Sequence, residues 1–195
     1  MLPKVLSQLV EELNRLPSIG NRSAQRLALA IAKDDYTSLA QAILDLKQGL
    51  MICQYCQNYA DQKTCQICLD PKRESDRLLI VSSPTDLIAI EKTNNYRGLY
   101  FVLHGLVSPL NGVTELDLRF DLLQAMIKGN QIEEVIVATN ASLDGETTAL
   151  YIAKALAEFS QLKVSKLAQG MPMGGDIDYT DQLTLTRAIE NRQVI

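Results

Sequence analysis

Cys53-Gln-Tyr-Cys56-Gln-Asn-Tyr-Ala-Asp-Gln-Lys-Thr-Cys65-Gln-Ile-Cys68 is the stretch on which the reading of this chain turns. It carries all four cysteines of the sequence as two C-x-x-C pairs. Each pair can place two thiolates on one side of a tight turn. Two such turns facing each other complete a tetrahedral S4 site, the donor set that suits zinc. With no coordination position left open, a single zinc ion would be structural. It would supply much of the stability of a module too small to fold on apolar burial alone. Two disulfides, a redox pair and an iron–sulfur cluster are the alternatives. A reducing cytoplasm weighs against the first, and the duplication of the pair against the second. Tyr55 and Tyr59 flank the cysteines; they could stack on bases, and packing against the two turns is the plainer expectation.

The cysteine segment divides two patterns. Upstream the chain reads as helical. Leu2, Val5, Leu9, Val10 and Leu13 fall near helical spacing over residues 2–15, and Leu16-Pro17-Ser18-Ile19-Gly20 breaks the run. A second helix is expected over 22–33, with Asn21 as its N-cap and Ala24, Leu27, Ala28 and Ile31 on its apolar face. A third is expected over 38–50. Downstream, the charged stretch DPKRESD at 70–76 reads as a linker. Strands then alternate with helices: strands at 78–81, 99–103, 135–139 and 163–167, helices at 85–92, 119–128, 146–159 and 180–191. That alternation means a mostly parallel sheet covered by helices. The longest irregular piece, 104–116, holds Gly105, Pro109 and Gly112, and loops of that length are often functional.

Composition narrows the function. The chain has 195 residues, 47% of them apolar, enough to bury a sizeable core in one domain or two small ones. No apolar run approaches the roughly 20 residues that span a bilayer, so no membrane association is expected. The opening MLPKVLSQLVEELNRL sets Glu11 and Glu12 within its apolar periodicity, unlike a secretory leader, and a cytoplasmic location is expected. The net charge of −4 argues against a nonspecific polyanion binder coated in lysine. Any nucleic-acid contact must come from a local patch.

One such patch lies between the first two helices. Leu16-Pro-Ser-Ile-Gly20 followed by Asn-Arg-Ser-Ala24 resembles the helix-hairpin-helix DNA-binding motif. Gly20 permits a tight turn that exposes backbone N–H groups at the start of the second helix, and such an N-terminus attracts phosphate. Arg22 and Arg26, four residues apart, share a helix face and can neutralise neighbouring phosphates. Nothing there would read bases, so binding should be independent of sequence. The competing expectation is an αα-hairpin used only for packing or dimerisation.

The order of hairpin, four-cysteine segment and α/β region resembles the RecR family of bacterial recombination mediators. The segments LPSIGNRSAQRLALAI, AIEKTNNYRGLYFVLHGLVSPLNGV, EVIVATNASLDGETTALYIAKAL and GMPMGGDIDYTDQLTLTRAI carry that resemblance along essentially the whole chain. It implies a multi-part α+β chain: a helix-hairpin-helix region over 1–52, a zinc module over 53–75, an α/β Toprim domain over 76–171, and a C-terminal helical segment over 172–195. It implies a homo-oligomer, dimer or tetrameric ring, that closes as a clamp on single- and double-stranded DNA. It further implies RecO and RecF as partners in loading RecA onto single-stranded DNA coated by single-strand binding protein. The stretch Gly170-Met-Pro-Met-Gly-Gly175-Asp176 matches the family's Walker B-like region, which lies by a subunit contact. It lacks the G-K-[ST] ending of a phosphate-binding P-loop.

Toprim enzymes hold Mg²⁺ with a glutamate after the first strand and a D-x-D after a later one, the oxygen ligands a hard cation needs. Here the first strand ends Val81-Ser82-Ser83-Pro84, where RecR-like sequences usually keep a glutamate. The later strand runs Ala138-Thr139-Asn140-Ala141-Ser142-Leu143-Asp144-Gly145-Glu146, with Asn140 and Ser142 in place of the two aspartates. Without those carboxylates the domain is expected to be a docking platform with no catalytic residue. The alternative is a Toprim-type, metal-dependent DNA-processing enzyme. An RNA-binding zinc protein is a third reading, which the hairpin allows and the resemblance disfavours. Asp144 and Glu146 are candidates for an acidic partner surface; as helix-start carboxylates they would equally suit the dipole. His104, the only histidine, is expected in a loop or at a partner contact, and Lys72, Arg73 and Arg77 as a solvated linker cluster.

Overall fold

The computed structural model describes residues 2–193. Met1, and Val194 and Ile195 at the end of the segment expected over 172–195, lie outside the described residues. The chain divides into two compact units, one ending at Leu50 and the other starting at Met51.

The first unit is an α-hairpin with a third helix. Helices α1 (Lys4–Asn14) and α2 (Asn21–Lys33) pack through Val10, Ala24 and Ala28, with Leu6, Leu9, Leu13 and Ile19 around them. Ala24 and Ala28 lie one turn apart and are fully buried. Their small side chains let the α1 backbone approach closely. Helix α3 (Thr37–Gly49) follows and buries no side chain.

The second unit opens with the short antiparallel pair β1 (Met51–Ile52) and β2 (Tyr59–Ala60) and the one-turn helix α4 (Gln66–Leu69). Then come β3 (Glu74–Val81), α5 (Pro84–Glu91), β4 (Gly98–Val102), α6 (Phe120–Gly129), β5 (Glu134–Ala138), α7 (Leu143–Ala155), β6 (Lys163–Lys166) and α8 (Gln182–Glu190). The four long-range strands form one parallel sheet in the order β4-β3-β5-β6. Leu78 sits between Leu99 and Val135, and Val81 between Val102 and Ala138.

Alternation along the central strand splits the core in two. Leu78 and Ile80 face α6 and α7, where Leu123, Ile127, Ile152 and Leu156 cover them. Leu79 and Val81 face Leu87 of α5, with Ile67 of α4 packed against the same cluster. A parallel sheet covered on both faces needs near-continuous apolar strands, and 78–81 and 99–103 supply them.

Most boundaries differ from the sequence reading by a residue or more, and helix α7 ends at Ala155, four residues before the expected 159; three differences at element starts bear on the site. The strand expected at 78–81 begins at Glu74, so part of the stretch expected as a linker joins the sheet, with Glu74 opposite Gly98, and Arg77 beyond it opposite Glu134. Hydrophobic pattern marks only the residues buried on both faces. Helix α2 is capped by Gly20, not Asn21, which is its first residue. Helix α7 begins at Leu143, three residues before the expected start, because Ser142 caps it and Gly145 is accommodated in its first turn. The β1–β2 pair and α4 were not anticipated, since two-residue strands and a single turn leave no periodicity to read. Among the described residues no helix is long and apolar enough to cross a membrane.

Candidate nucleic-acid interface and metal centre

The α1–α2 turn presents a bare helix start. Gly20 has φ −80° and ψ 169° and makes no side-chain cap. The left-handed residue of the turn is Ser18, at φ 66°. Gly20 therefore contributes by lacking a side chain: an added Cβ would meet nothing within 4 Å, so the space before α2 is open. The first turn of α2 holds no acidic residue. Ala24 N–H bonds to the Gly20 carbonyl, which leaves the preceding amides directed outward at the positive end of the helix dipole. Arg22 and Arg26 are exposed. Neither forms an ion pair among the described residues, with Glu11 or with Glu12 of α1, and Glu12 is bonded to Arg15. The turn thus combines free N–H donors, positive dipole and two unpaired guanidinium groups, the chemistry of a phosphate-backbone contact.

The four cysteines converge. Their Sγ atoms all lie within 4.8 Å of one another, with Cys53, Cys56 and Cys65 buried and Cys68 half-buried. All four are free of disulfides. The Cys56 and Cys65 sulfurs are 3.4 Å apart and those of Cys53 and Cys68 3.8 Å. Such crowding splits their acidities: the hydrogen bond with Cys65 pushes the Cys56 thiol up, and the same bond draws Cys65 down. Only a bound cation lets all four carry thiolate charge together. The donor set therefore fits a tetrahedral thiolate-binding ion.

The cysteine module is joined to the sheet by polar contacts that sequence reasoning missed. Val102 N–H, at the end of β4, donates to the Cys56 carbonyl at 2.8 Å. His104 Nε2 donates to the Gln57 carbonyl at 2.6 Å, and its ring lies 5.4 Å from that of Tyr59. The loop histidine is thus an internal brace. Arg73 is no solvated linker residue. Its side chain is 9% exposed and holds both carboxylate oxygens of Glu91 and the Gly98 carbonyl, with its guanidinium 5.8 Å from the Tyr100 ring centre. Tyr100 O–H donates to the same carboxylate at 2.6 Å. Arginine's planar fork suits this bidentate, ring-stacked position. No local motif could have announced it, because Glu91 lies 18 residues downstream.

The sheet order reverses at β3 and β5, and their carboxyl ends border the crevice where open α/β sheets hold ligands. Here two residues of the expected Toprim centre, Ser83 and Ser142, act as helix caps. Ser83 and Asp86 form a reciprocal capping box on α5. Ser142 Oγ accepts from Gly145 N–H on α7 at 3.2 Å. Glu146 is held by Lys166 at 2.6 Å and Gln169 at 2.9 Å, contacts that keep its carboxyl below the usual range. Asp144 is half-buried in the same first turn. Among the described residues, the cysteines form the one group of three or more metal-ligating side chains within reach of an ion. Gly145 is obligatory in a local sense: a Cβ there would sit 1.9 Å from the Asn140 carbonyl oxygen.

Comparison with known proteins covers the same parts. Family profiles described as "RecR, helix-hairpin-helix", "Toprim domain" and "RecR, C-terminal" match residues 6–47, 76–168 and 170–193. A curated protein named Recombination protein RecR from Thermosynechococcus vestitus is 45% identical over 97% of this chain and 95% of its own length. Proteins of the same name are 40% identical from Leifsonia xyli, over the full length of both, and 42% identical from Clostridium perfringens, over 99% of this chain and 98% of theirs.

Proposed function

Since the chain belongs to the RecR family of recombination proteins, we propose that it is a non-enzymatic DNA clamp of recombinational repair, acting in the cytoplasm with RecO and RecF to help load RecA onto single-stranded DNA. The observation that carries this reading is the bare start of α2 with Arg22 and Arg26 unpaired beside it. The contact is made to phosphates and is indifferent to sequence. One hairpin offers few charges on a chain of net charge −4, so a single copy binds weakly. Several copies in a dimer or tetrameric ring raise the effective concentration of hairpins around one strand.

The ion held by Cys53, Cys56, Cys65 and Cys68 is zinc in this account, and it supplies a structural cross-link. The residues of the cysteine module brace that cross-link against the sheet through Cys56, Gln57 and His104. The crevice at the ends of β3 and β5 serves as a docking face, with Asp144 and Glu146 as its acidic residues. Two of the acidic groups nearby, Asp86 and Glu146, are already engaged in a cap and an ion pair. The 1–52, 53–75, 76–171 and 172–195 segments divide these roles among hairpin, metal module, docking domain and C-terminal contact.

The test is mass measurement of the free and DNA-bound protein in solution, paired with RecA filament formation on strands coated by single-strand binding protein. The clamp reading expects an oligomer on DNA and faster filament formation when RecO is present. A monomer that binds DNA tightly, or no effect on filament formation, contradicts it.

A further inference from the structure

A cavity of about 730 Å³ opens between the cysteine module and α6. Tyr55 and Leu69 line it from the module side and Leu122 and Ala125 from the helix, with Gln54 and Asn130 also on its walls. Among the described residues that line it none is Asp, Glu, Lys or Arg, although these make up 22% of the chain; Cys68 of the cysteine site borders it. A larger cavity at the amino ends of β3, β5 and β6 is lined by Arg77, Lys128, Glu134 and Lys163 among others, and Lys128 and Lys163 pair there with Glu158 and Glu134.

The polar groups of this cavity are mainly side-chain amides. Gln54 spends its amide N–H on Thr64 Oγ1 at 3.2 Å, and Asn130 spends its own on the Met126 carbonyl at 2.9 Å. Each keeps a side-chain carbonyl oxygen able to accept a hydrogen bond and a second N–H able to donate one. Tyr55 is half exposed, unlike the fully buried Tyr100. Gln54 N–H bonds to the Lys63 carbonyl at 2.9 Å, which sets the exposed Lys63 next to this wall. An aromatic ring, apolar walls, amides that both donate and accept, and one flanking cation match a flat, uncharged ring that carries N–H and C=O groups and is tethered to a phosphate.

We propose that this cavity takes an unpaired nucleobase of single-stranded DNA, stacked on Tyr55, with its phosphate toward Lys63. The inference rests on the reading that the chain holds DNA, and it adds a preference for single strands. A base within a duplex is paired and stacked and cannot enter. Stacking on an aromatic ring is tolerant of sequence because every base has a π-face, so the site favours single strands without reading them.

The experiment uses the full chain with its metal content verified. Affinity is measured for a thymine strand carrying one 2-aminopurine, for the same strand with abasic sites, and for duplex DNA. The variants are Tyr55→Ala, Tyr55→Phe and Ala125→Phe; Ala125 is exposed, so a larger side chain there fills the cavity without crowding the core. Tyr55→Ala and Ala125→Phe should each lower single-strand affinity about tenfold and abolish the 2-aminopurine fluorescence change. Tyr55→Phe should bind as wild type, and affinity for abasic and duplex DNA should not move. Equal losses on the abasic strand overturn the proposal. So does unchanged single-strand binding by both variants, the outcome expected if the cavity receives an apolar side chain of a partner protein. If Tyr55→Ala releases metal, Ala125→Phe alone decides. Wild-type protein that binds no DNA overturns the clamp reading as well; a wild type that binds while the variants bind equally overturns this inference alone.

Discussion

Replacing Arg73 with alanine should cost the second unit about 2–4 kcal/mol. The loss of a partner from a buried ion pair is worth roughly 3–5 kcal/mol, because the other charge is left without compensation. Arg73 is almost fully buried, but Glu91 is 29% exposed, so water recovers part of the penalty and the figure falls. The Gly98 carbonyl also loses its donor. Arg73→Lys should fall between, since an ammonium cannot hold both oxygens of Glu91 and the carbonyl together. The assay is urea unfolding at fixed metal content, followed by the near-ultraviolet signal of the tyrosines. A pH series sharpens it. Arg73, and then Tyr100, hold the Glu91 carboxyl below its ordinary value of 4.5. A depressed folded-state pKa contributes stability that is complete above the ordinary value and is lost as pH falls through the folded one. The gap between wild type and Arg73→Ala should therefore be widest near neutrality and narrow below pH of about 4.5. A loss under about 1 kcal/mol, the scale of a surface pair, or a gap that stays constant to pH of about 3, would refute the reasoning.

Elemental analysis should find one zinc per chain, and Cys65→Ser or a strong chelator should lower the melting temperature; full stability without metal contradicts the structural role. Gly145→Ala should cost upwards of about 2 kcal/mol, because its Cβ would lie 1.9 Å from the Asn140 carbonyl oxygen; a thermal melt equal to wild type would show that the turn relaxes freely. With Mg²⁺ or Mn²⁺ the purified protein should not cleave, join or prime DNA, and an activity that vanished on Asp144→Ala or Glu146→Ala would reverse that expectation.

The legible parts of this chain were those that repeat a local rule. Paired C-x-x-C spacing announced the cysteine cluster, and Ala24 and Ala28 one turn apart announced the packed face of α2, whereas Leu27, expected on that face, is 43% exposed. Apolar runs at 78–81 and 135–139 announced central parallel strands. What stayed hidden depends on distant partners. Arg73 sits in a charged stretch that looks like linker, and only the return of Glu91 and Tyr100 across the sheet buries it. His104 reads as a lone loop histidine until Gln57, 47 residues earlier, is brought beside it. The tight turn expected at Gly20 takes its left-handed residue from Ser18; glycine favours positive φ but does not mark it. The first strand was read short because its polar half pairs through backbone alone.

The central claim is that the start of α2 holds DNA phosphates, and the salt dependence of binding tests it most directly. Affinity for a single strand of mixed sequence is measured at several salt concentrations for wild type and for Arg22→Ala with Arg26→Ala. Each neutralised phosphate contributes about 0.7 to the slope of log affinity against log salt on single strands. The double variant should therefore bind all sequences more weakly, with a slope shallower by about 1.4 per engaged hairpin. Zinc content, melting temperature and oligomeric state should be unchanged, because both arginines are exposed and Glu12 is bonded to Arg15. A variant that keeps its affinity and slope, or loses thermal stability in their place, would show that the hairpin is a packing element and that DNA is held elsewhere.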